Sequence, residues 1–472
     1  MSSKKPKVFE IVVIGTGMSG LNFIDKYSEK GKILHVISPQ EDFNLPLHVK
    51  DNLKLLPSQM RGKYSNVQSY FAANKLELSS ECKALGSLNF GGLSNYWGLQ
   101  LDSYLNNDQK NFKKKEFLQL KKNFFEFVEK FNLLGSYKDD DLKKSYTNDY
   151  KIPKTFENLV KKKNKNFNCK KPILAFSEKY FSGNLNNINE KKNKLNALNF
   201  YKKIRKKNKL VFHNYYLKDL KKRGQNILLI CKNNNEEKFF LAKKVILACG
   251  TIATTKILMN FLNIKKEVRI KHHPRLLSVF FSKKPIEYKL NFTPSLLQII
   301  NKSKNDFFTA DLRPGNKLIT ESIIDAFPFM RPFRFLINFI RHRLVFSNML
   351  VDSSFSNIYL KKNKNNFKLY SKKTNLKNIL RIRNKSVFKF LNNEGVVMPF
   401  YKTFFPGSGA DYHYFGSVPF QKRGKLAVNN KCQLQSYNNI FVIDGSVFDF
   451  KTNKYPLGIV AANARRIAKL LS

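Results

Sequence analysis

Acidic side chains are scarce in this chain. It has 34 Asp and Glu against 86 Lys and Arg, a formal net charge of +52 over 472 residues. Such a balance rules out an acidic, self-solvating protein and points toward anionic surfaces as contacts. Most of the excess is Lys accompanied by Asn, Phe and Ile, which is also the drift expected of AT-rich coding sequence. Runs such as Lys161-Lys162-Lys163 and Lys361-Lys362 therefore read first as solvated loops and helix faces. Cysteine is sparse too. The five, at 82, 169, 231, 249 and 432, form no CxxC pair. That excludes a disulfide framework and a thiolate metal site, and suits free thiols in a reducing compartment. No apolar run reaches the ~20 residues of a membrane-crossing helix. Met1 to Lys7 leads straight into a first strand without the apolar region of a signal peptide. The expectation is a cytoplasmic protein, with the inner face of a membrane as a surface it could meet. No recognised nucleic-acid motif accompanies the charge, so nucleic acid is not an expected partner.

What is present is a set of glycine-rich segments. The first is Ile11-Val12-Val13-Ile14-Gly15-Thr16-Gly17-Met18-Ser19-Gly20. Phe9 to Ile14 is a β-branched apolar run of the kind found in buried parallel strands. Leu21 to Glu29 reads as a helix with Gly31 beyond its end, and Ile33 to Ile37 as a second strand. The spacing Gly15-x-Gly17-x-x-Gly20 between strand and helix is a dinucleotide signature. The first glycine allows the turn, the second lets backbone approach a pyrophosphate, and the third lets helix pack on strand. An acidic residue usually ends the second strand and holds ribose hydroxyls; here Ser38 stands there, with Glu41 three residues on.

Further along, Gly91-Gly92-Leu93-Ser94-Asn95-Tyr96-Trp97-Gly98 forms a second glycine-rich loop. A Lys- and Asn-rich stretch follows, with a helical segment over Lys113 to Phe131. Strands are expected at Leu210–His213, Asn226–Ile230 and Lys244–Ala248, with a hairpin turn around Gly224. The last strand runs into Cys249-Gly250-Thr251 and a helix over Ile252 to Asn260. Between 276 and 404 the apolar pattern alternates, as at Leu276–Phe281 and Phe307–Leu312, and reads as an antiparallel sheet under a helical cover. Phe327 to Leu350 is rich in Phe and Arg. As one helix it would put Phe333, Leu336, Ile337, Ile340 and Leu344 on one face and Arg331, Arg334 and Arg341 on the other. It reads either as a cover over the substrate cavity or as an interfacial helix on an anionic membrane. The chain ends with His413-Tyr414-Phe415-Gly416-Ser417 and Asp444-Gly445-Ser446.

Taken together, these segments resemble the glucose–methanol–choline (GMC) oxidoreductases, nearer their sugar- and polyol-oxidising and pyranose oxidase-like branch. The resemblance covers roughly 1–105, 200–275 and 405–472. It implies an α/β fold, α+β overall, with a Rossmann-like FAD-binding domain and a discontinuous antiparallel-sheet substrate domain. The FAD-binding parts would be 1–105, 200–275 and 405–472. A helical insertion at 106–199 and a sheet at 276–404 would build the substrate side. FAD would be held by Gly15, Gly17, Met18, Ser19 and Gly20 with Ser38, by Gly91, Gly92, Ser94, Asn95 and Trp97, and by Gly250, Asp444 and Gly445. Some pyranose-type members attach flavin through a His just before the Trp; Tyr96 in that place implies non-covalent FAD. The resemblance makes His413 the catalytic base. The family's second catalytic position falls on Asn453-Lys454-Tyr455-Pro456, where Tyr455 and Asn453 are both candidates.

Alcohol oxidation by flavin needs a base for the hydroxyl proton and a hydride acceptor, and imidazole suits the first task. The expected reaction is oxidation of a CH–OH group, on a sugar or polyol, with an electron acceptor left open. Two other readings share the glycine motif: a sugar-modifying flavoprotein without net oxidation, and a catalytically decayed flavoprotein at a membrane surface. His272-His273-Pro274 is read as structural, since adjacent side chains on a strand point to opposite faces.

Overall fold

The structure is a computed structural model. It describes the chain apart from residues 1–6, 30, 32, 40–65, 96–97, 99, 103–111, 176–194, 196, 208, 234–235, 287–293, 304–305, 317–319, 322, 325–326, 365, 421–422 and 452–453. Glu41, Tyr96, Trp97 and Asn453 therefore lie outside the described residues.

Strand β1 (Val8–Ile14) is buried from Ile11 to Ile14. Four consecutive apolar residues need cover on both faces, so this strand sits inside a sheet rather than at its edge. It pairs in parallel with β2 (Leu34–Ser38) on one side and β3 (Glu237–Leu247) on the other. The crossover between β1 and β2 is helix α1 (Met18–Ser28), which starts three residues earlier than the sequence pattern indicates. The strand Leu210–Asn214 extends the sheet in parallel beyond β2. The hairpin Tyr216–Arg223/Asn226–Lys232 turns at Gly224, as expected, and joins the first half of β3. The strand Tyr437–Val442 runs parallel to the second half of β3. Helix α2 (Thr251–Phe261) follows β3, and the C-terminal helix α3 (Leu457–Leu471) packs on α1. All the parallel strands end at one edge, where open α/β sheets bind ligands.

A six-stranded antiparallel sheet makes the second layer. Its core strands are β4 (Arg275–Ser282), β5 (Phe308–Pro314), β6 (Leu344–Val351) and β7 (Val397–Phe404), in spatial order β7-β4-β6-β5. The strands Leu297–Asn301 and Phe167–Lys170 complete it, so the 106–199 segment contributes a strand as well as the helix Lys114–Lys130. β4 alternates half-buried and buried positions, the period of a sheet with one covered face. The cover is the helix Leu376–Asn393, joined by a 2.7 Å hydrogen bond from Ser278 to Asn384. Register between β5 and β6 sets Asp311 opposite Asn348.

The single helix expected over Phe327–Leu350 does not form. A 3₁₀ turn (Pro328–Phe333) leads into a short α-helix (Arg334–Ile340), a second 3₁₀ turn, and then β6 from Leu344. Pro328 and Pro332 cannot donate to a helical ladder, and Leu344-Val345-Phe346 finds strand partners in β4 and β5. Ile337 and Leu344 are buried, while Phe333 and Leu336 of the expected apolar face are exposed. Among the described residues no helix is long and apolar enough to cross a membrane.

Candidate active site

At the carboxyl edge of the parallel strands lies a cleft of about 1550 Å³, its solvent-open mouth included. Its walls run from the β1–α1 turn, through Ser38 and the Gly91-Gly92 loop, to His413 and Tyr455. Gly15 adopts φ +104°, and a Cβ there would lie 2.4 Å from the Ala248 carbonyl oxygen. A Cβ on Gly20 would lie 2.0 Å from the Gly15 oxygen, so this glycine sets how closely α1 approaches the turn. Gly17 differs: its nearest neighbour would be the Gly91 oxygen at 3.8 Å, leaving the cleft side open. No side chain caps α1, so the first N–H groups of the helix are available to an anion. Those three glycine environments fit the pyrophosphate of a dinucleotide.

Met18 and Ser19 line the cleft at the start of α1. Ser38 is buried and its hydroxyl is 2.8 Å from that of Thr16, which also accepts from the Gly91 N–H at 3.3 Å. One hydroxyl pair thus ties β2, the β1–α1 turn and the second glycine loop together. Gly92 and Ser94 sit in a 3₁₀ turn, Gly92–Asn95, with the Ser94 hydroxyl donating to the Gly91 carbonyl at 2.5 Å. Tyr215, Tyr216 and Leu217, at the kink between two strands, line the far wall.

Asp444 is buried at the cleft floor and its carboxylate is a clamp. Oδ2 accepts from the Gly250 N–H at 3.0 Å and the Thr254 hydroxyl at 2.5 Å; Oδ1 accepts from the N–H and hydroxyl of Ser446 at 3.0 and 2.6 Å. It fixes the β3–α2 turn against the segment carrying Gly445, which also lines the cleft. Burial raises its pKa, against the pull of these four bonds.

The polar end of the cleft is where chemistry can occur. His413 stands edge-on to Tyr455, ring centroids 5.2 Å apart at 76°. Its Nδ1 is buried without a hydrogen-bond partner among the described residues. Burial pushes the imidazole pKa down to about 4, although Asp411 pulls the other way, so the ring is neutral and able to accept a proton. Tyr412, beside it, holds φ +65°, an uncommon conformation for a non-glycine residue and one that clusters at working sites. The Tyr455 hydroxyl donates to Asp311 and accepts from Asn348 at 3.2 Å. Asp311 also accepts from Gln100 at 2.7 Å. Burial drives the Asp311 carboxyl up to about 6 despite both bonds. Arg313 is placed next to Gly98 at the cleft wall.

His272 and His273 do not line the cleft. Both are buried; His272 Nδ1 is 2.7 Å from Asp411 and His273 Nε2 is 3.1 Å from the Phe450 carbonyl. Burial alone would raise Asp411, yet His272 holds its carboxylate below the usual value. Asp411 also accepts from the backbone N–H of His413 at 3.3 Å, so the His pair braces the loop that presents His413. Sequence reasoning missed Asp311, Gln100, Asn348, Arg313 and Asp411. β5 and β6 are buried almost throughout, so nothing local marks which of their residues meet Tyr455. Among the described residues no group of acidic, His or Cys side chains could hold a metal.

This fold and cleft define a mixed α/β protein in which a Rossmann-type domain and an antiparallel-sheet domain border one cleft. No family model matches the chain, and no curated protein matches it by sequence. Among solved structures it is similar to the crystal structure of pyridoxine 4-oxidase from Mesorbium loti, with a TM-score of 0.62 and 13% sequence identity. The match covers 98% of this chain and 99% of that one. At such identity the likeness carries the fold, and carries it from end to end.

Proposed function

We propose that this protein is a GMC-like, FAD-dependent oxidoreductase that oxidises a CH–OH group. The observation that carries the proposal is the continuity of one cleft from the β1–α1 glycine turn to the His413–Tyr455 pair. A nucleotide end and a proton-accepting end in one cavity suit a cofactor that reaches from one to the other.

In this reading the uncapped start of α1 and Gly17 take the pyrophosphate, Ser38 approaches the ribose, and the Gly91-Gly92 loop with Gly250 and Gly445 bounds the rest. A bound flavin would supply the hydride acceptor. The work of this chain's own residues is proton handling and positioning. His413, neutral because it is buried, accepts the hydroxyl proton of the substrate. Tyr455, held between Asp311 and Asn348, stands edge-on to that imidazole and sets its orientation. A general base of this kind contributes ~10²–10⁴-fold. Sugar and polyol donors are the proposed substrate class. Pyridoxine, the alcohol that names the structural neighbour, belongs in the same panel.

The test starts with the purified protein. It should be yellow, and acid precipitation should release the colour into the supernatant, as Tyr96 at the family's linkage position implies. Anaerobic addition of a reactive alcohol should bleach the flavin. A colourless protein that cannot be reconstituted with FAD overturns the reading, and flavin retained on the pellet overturns its non-covalent part.

A further inference from the structure

The segment between β5 and β6 places an unusual set of side chains in solvent. Phe329, Phe335 and Phe339 are 71, 68 and 75% exposed, and Phe333 and Leu336 are about half exposed beside them. Scattered single apolar residues on a surface are ordinary, but a contiguous aromatic patch marks an interaction site. The patch continues on the edge strand β7, where Phe400, Lys402 and Phe404 share one exposed face; Phe327 packs on Phe404 with centroids 6.2 Å apart.

The described residues of the segment are seated on the sheet. Ile324, Ile337 and Leu344 form a small buried cluster against Val279, Phe281 and Phe346 of the sheet. The Gly315 N–H donates to the Leu344 carbonyl at 2.8 Å, and a Cβ on Gly315 would meet the Arg341 oxygen at 2.1 Å. So the inner face is fixed and the outer face is aromatic by sequence, not through disorder.

We infer that this patch docks the protein on an anionic lipid bilayer. Charge selects that occupant. Arg331 and Arg341 are exposed among the aromatics, with Lys283, Lys284 and Lys402 around them. The neighbouring Glu321 is taken up by Arg334. A second copy of the chain, placed about a two-fold axis, would set this cationic rim against itself. A flat anionic surface accepts both parts: aromatic rings enter the headgroup boundary while Arg and Lys meet lipid phosphates. The net charge of +52 draws the molecule to such a surface from a distance. Leu344, the buried residue at which the segment enters β6, lies four residues along that strand from Asn348, about 13 Å at about 3.3 Å per residue. Docking would therefore hold the Tyr455 end of the cleft close to the bilayer. The inference does not depend on the proposed reaction.

Co-sedimentation with vesicles tests it, using phosphatidylcholine alone or with roughly a third phosphatidylglycerol, at about 0.1 and about 1 M salt. At the higher salt the Debye length falls to about 3 Å. The wild-type chain should bind only the anionic vesicles and stay partly bound in high salt. The triple variant Phe329→Ser, Phe335→Ser, Phe339→Ser should bind at least ten-fold more weakly and release completely in high salt. A Phe335→Cys chain carrying an environment-sensitive fluorophore should shift its emission to the blue on the same vesicles, which reads insertion without the triple change. The inference is overturned by absence of binding at low salt, by a triple variant that binds like wild type, or by an unshifted fluorophore. It is equally overturned by light scattering that shows a wild-type dimer dissolved by the triple variant, since a second copy would then be the occupant.

Discussion

The Tyr455 hydroxyl donates to Asp311 Oδ2 at 2.5 Å although 144 residues separate them in the chain. The bond joins the C-terminal segment of the Rossmann side to β5 of the antiparallel sheet, and it forms beside His413. Tyr455→Phe would leave Asp311 and Asn348 facing each other without the hydroxyl between them. Turnover should fall by up to about 10²-fold, the cost of loosening the placement of His413. Bound flavin should be unchanged. Steady-state kinetics with the flavin content measured on the same preparation checks it.

The two buried titrating groups predict opposite pH effects on stability. The His413 pKa lies below its ordinary 6.5, at about 4. Its contribution is present above 6.5 and is lost as pH falls toward 4, because the unfolded chain takes up the proton first. The Asp311 pKa is raised from 3.8 to about 6. Its contribution is present below 3.8 and is lost as pH rises through 6. Denaturant titrations across pH 4–8 should show His413→Ala flattening the acid-side loss and Asp311→Asn flattening the loss near 6. In the pH profile of kcat/KM, a limb near 6 should disappear in Asp311→Asn.

The glycines of the β1–α1 turn should separate folding from binding. Gly20→Ala forces a Cβ to 2.0 Å from the Gly15 oxygen, so α1 must move off the sheet; melting temperature and flavin content should both fall. Gly17→Ala has room within the protein, 3.8 Å from the Gly91 oxygen, and Gly17 holds an ordinary φ of −64°. It should melt near wild type and lose flavin, because its methyl group faces the space that the proposed function gives to the pyrophosphate. Thermal melts with and without added FAD distinguish the two.

Asp444→Ala would leave four donors on Gly250, Thr254 and Ser446 without their acceptor. Gly250 is exposed, but Thr254 and Ser446 are buried, and each buried group so stranded costs about 1–3 kcal/mol. The variant should be poorly soluble or melt far below wild type, and Asp444→Asn, which keeps one carbonyl oxygen, should fall between. Equal melting temperatures for all three proteins would refute the clamp.

The β1–α1–β2 unit could be read from the sequence because every signal for it is local: an apolar run, three glycines in register, a helix and a second run. The Gly224 hairpin was legible for the same reason. The partners of Tyr455 were not. Asp311 and Asn348 lie on strands whose pairing is set by β5–β6 register, and Gln100 arrives from a third segment. The Phe327–Leu350 stretch misled because its 3.6-residue periodicity continues past Ile340, while Pro328, Pro332 and the sheet partners of Leu344 decide the structure. His272 and His273 were legible as structural, but their contact with Asp411, and so with the His413 loop, was not.

Anaerobic reduction of the bound flavin by an alcohol, compared between wild type and His413→Ala, tests the central claim most directly. The account predicts that both proteins carry the same flavin, that wild type bleaches with substrate, and that the variant bleaches ~10²–10⁴ times more slowly. A variant that bleaches at the wild-type rate would contradict the assignment of His413, and a wild-type protein that takes up no flavin would contradict the proposed function itself.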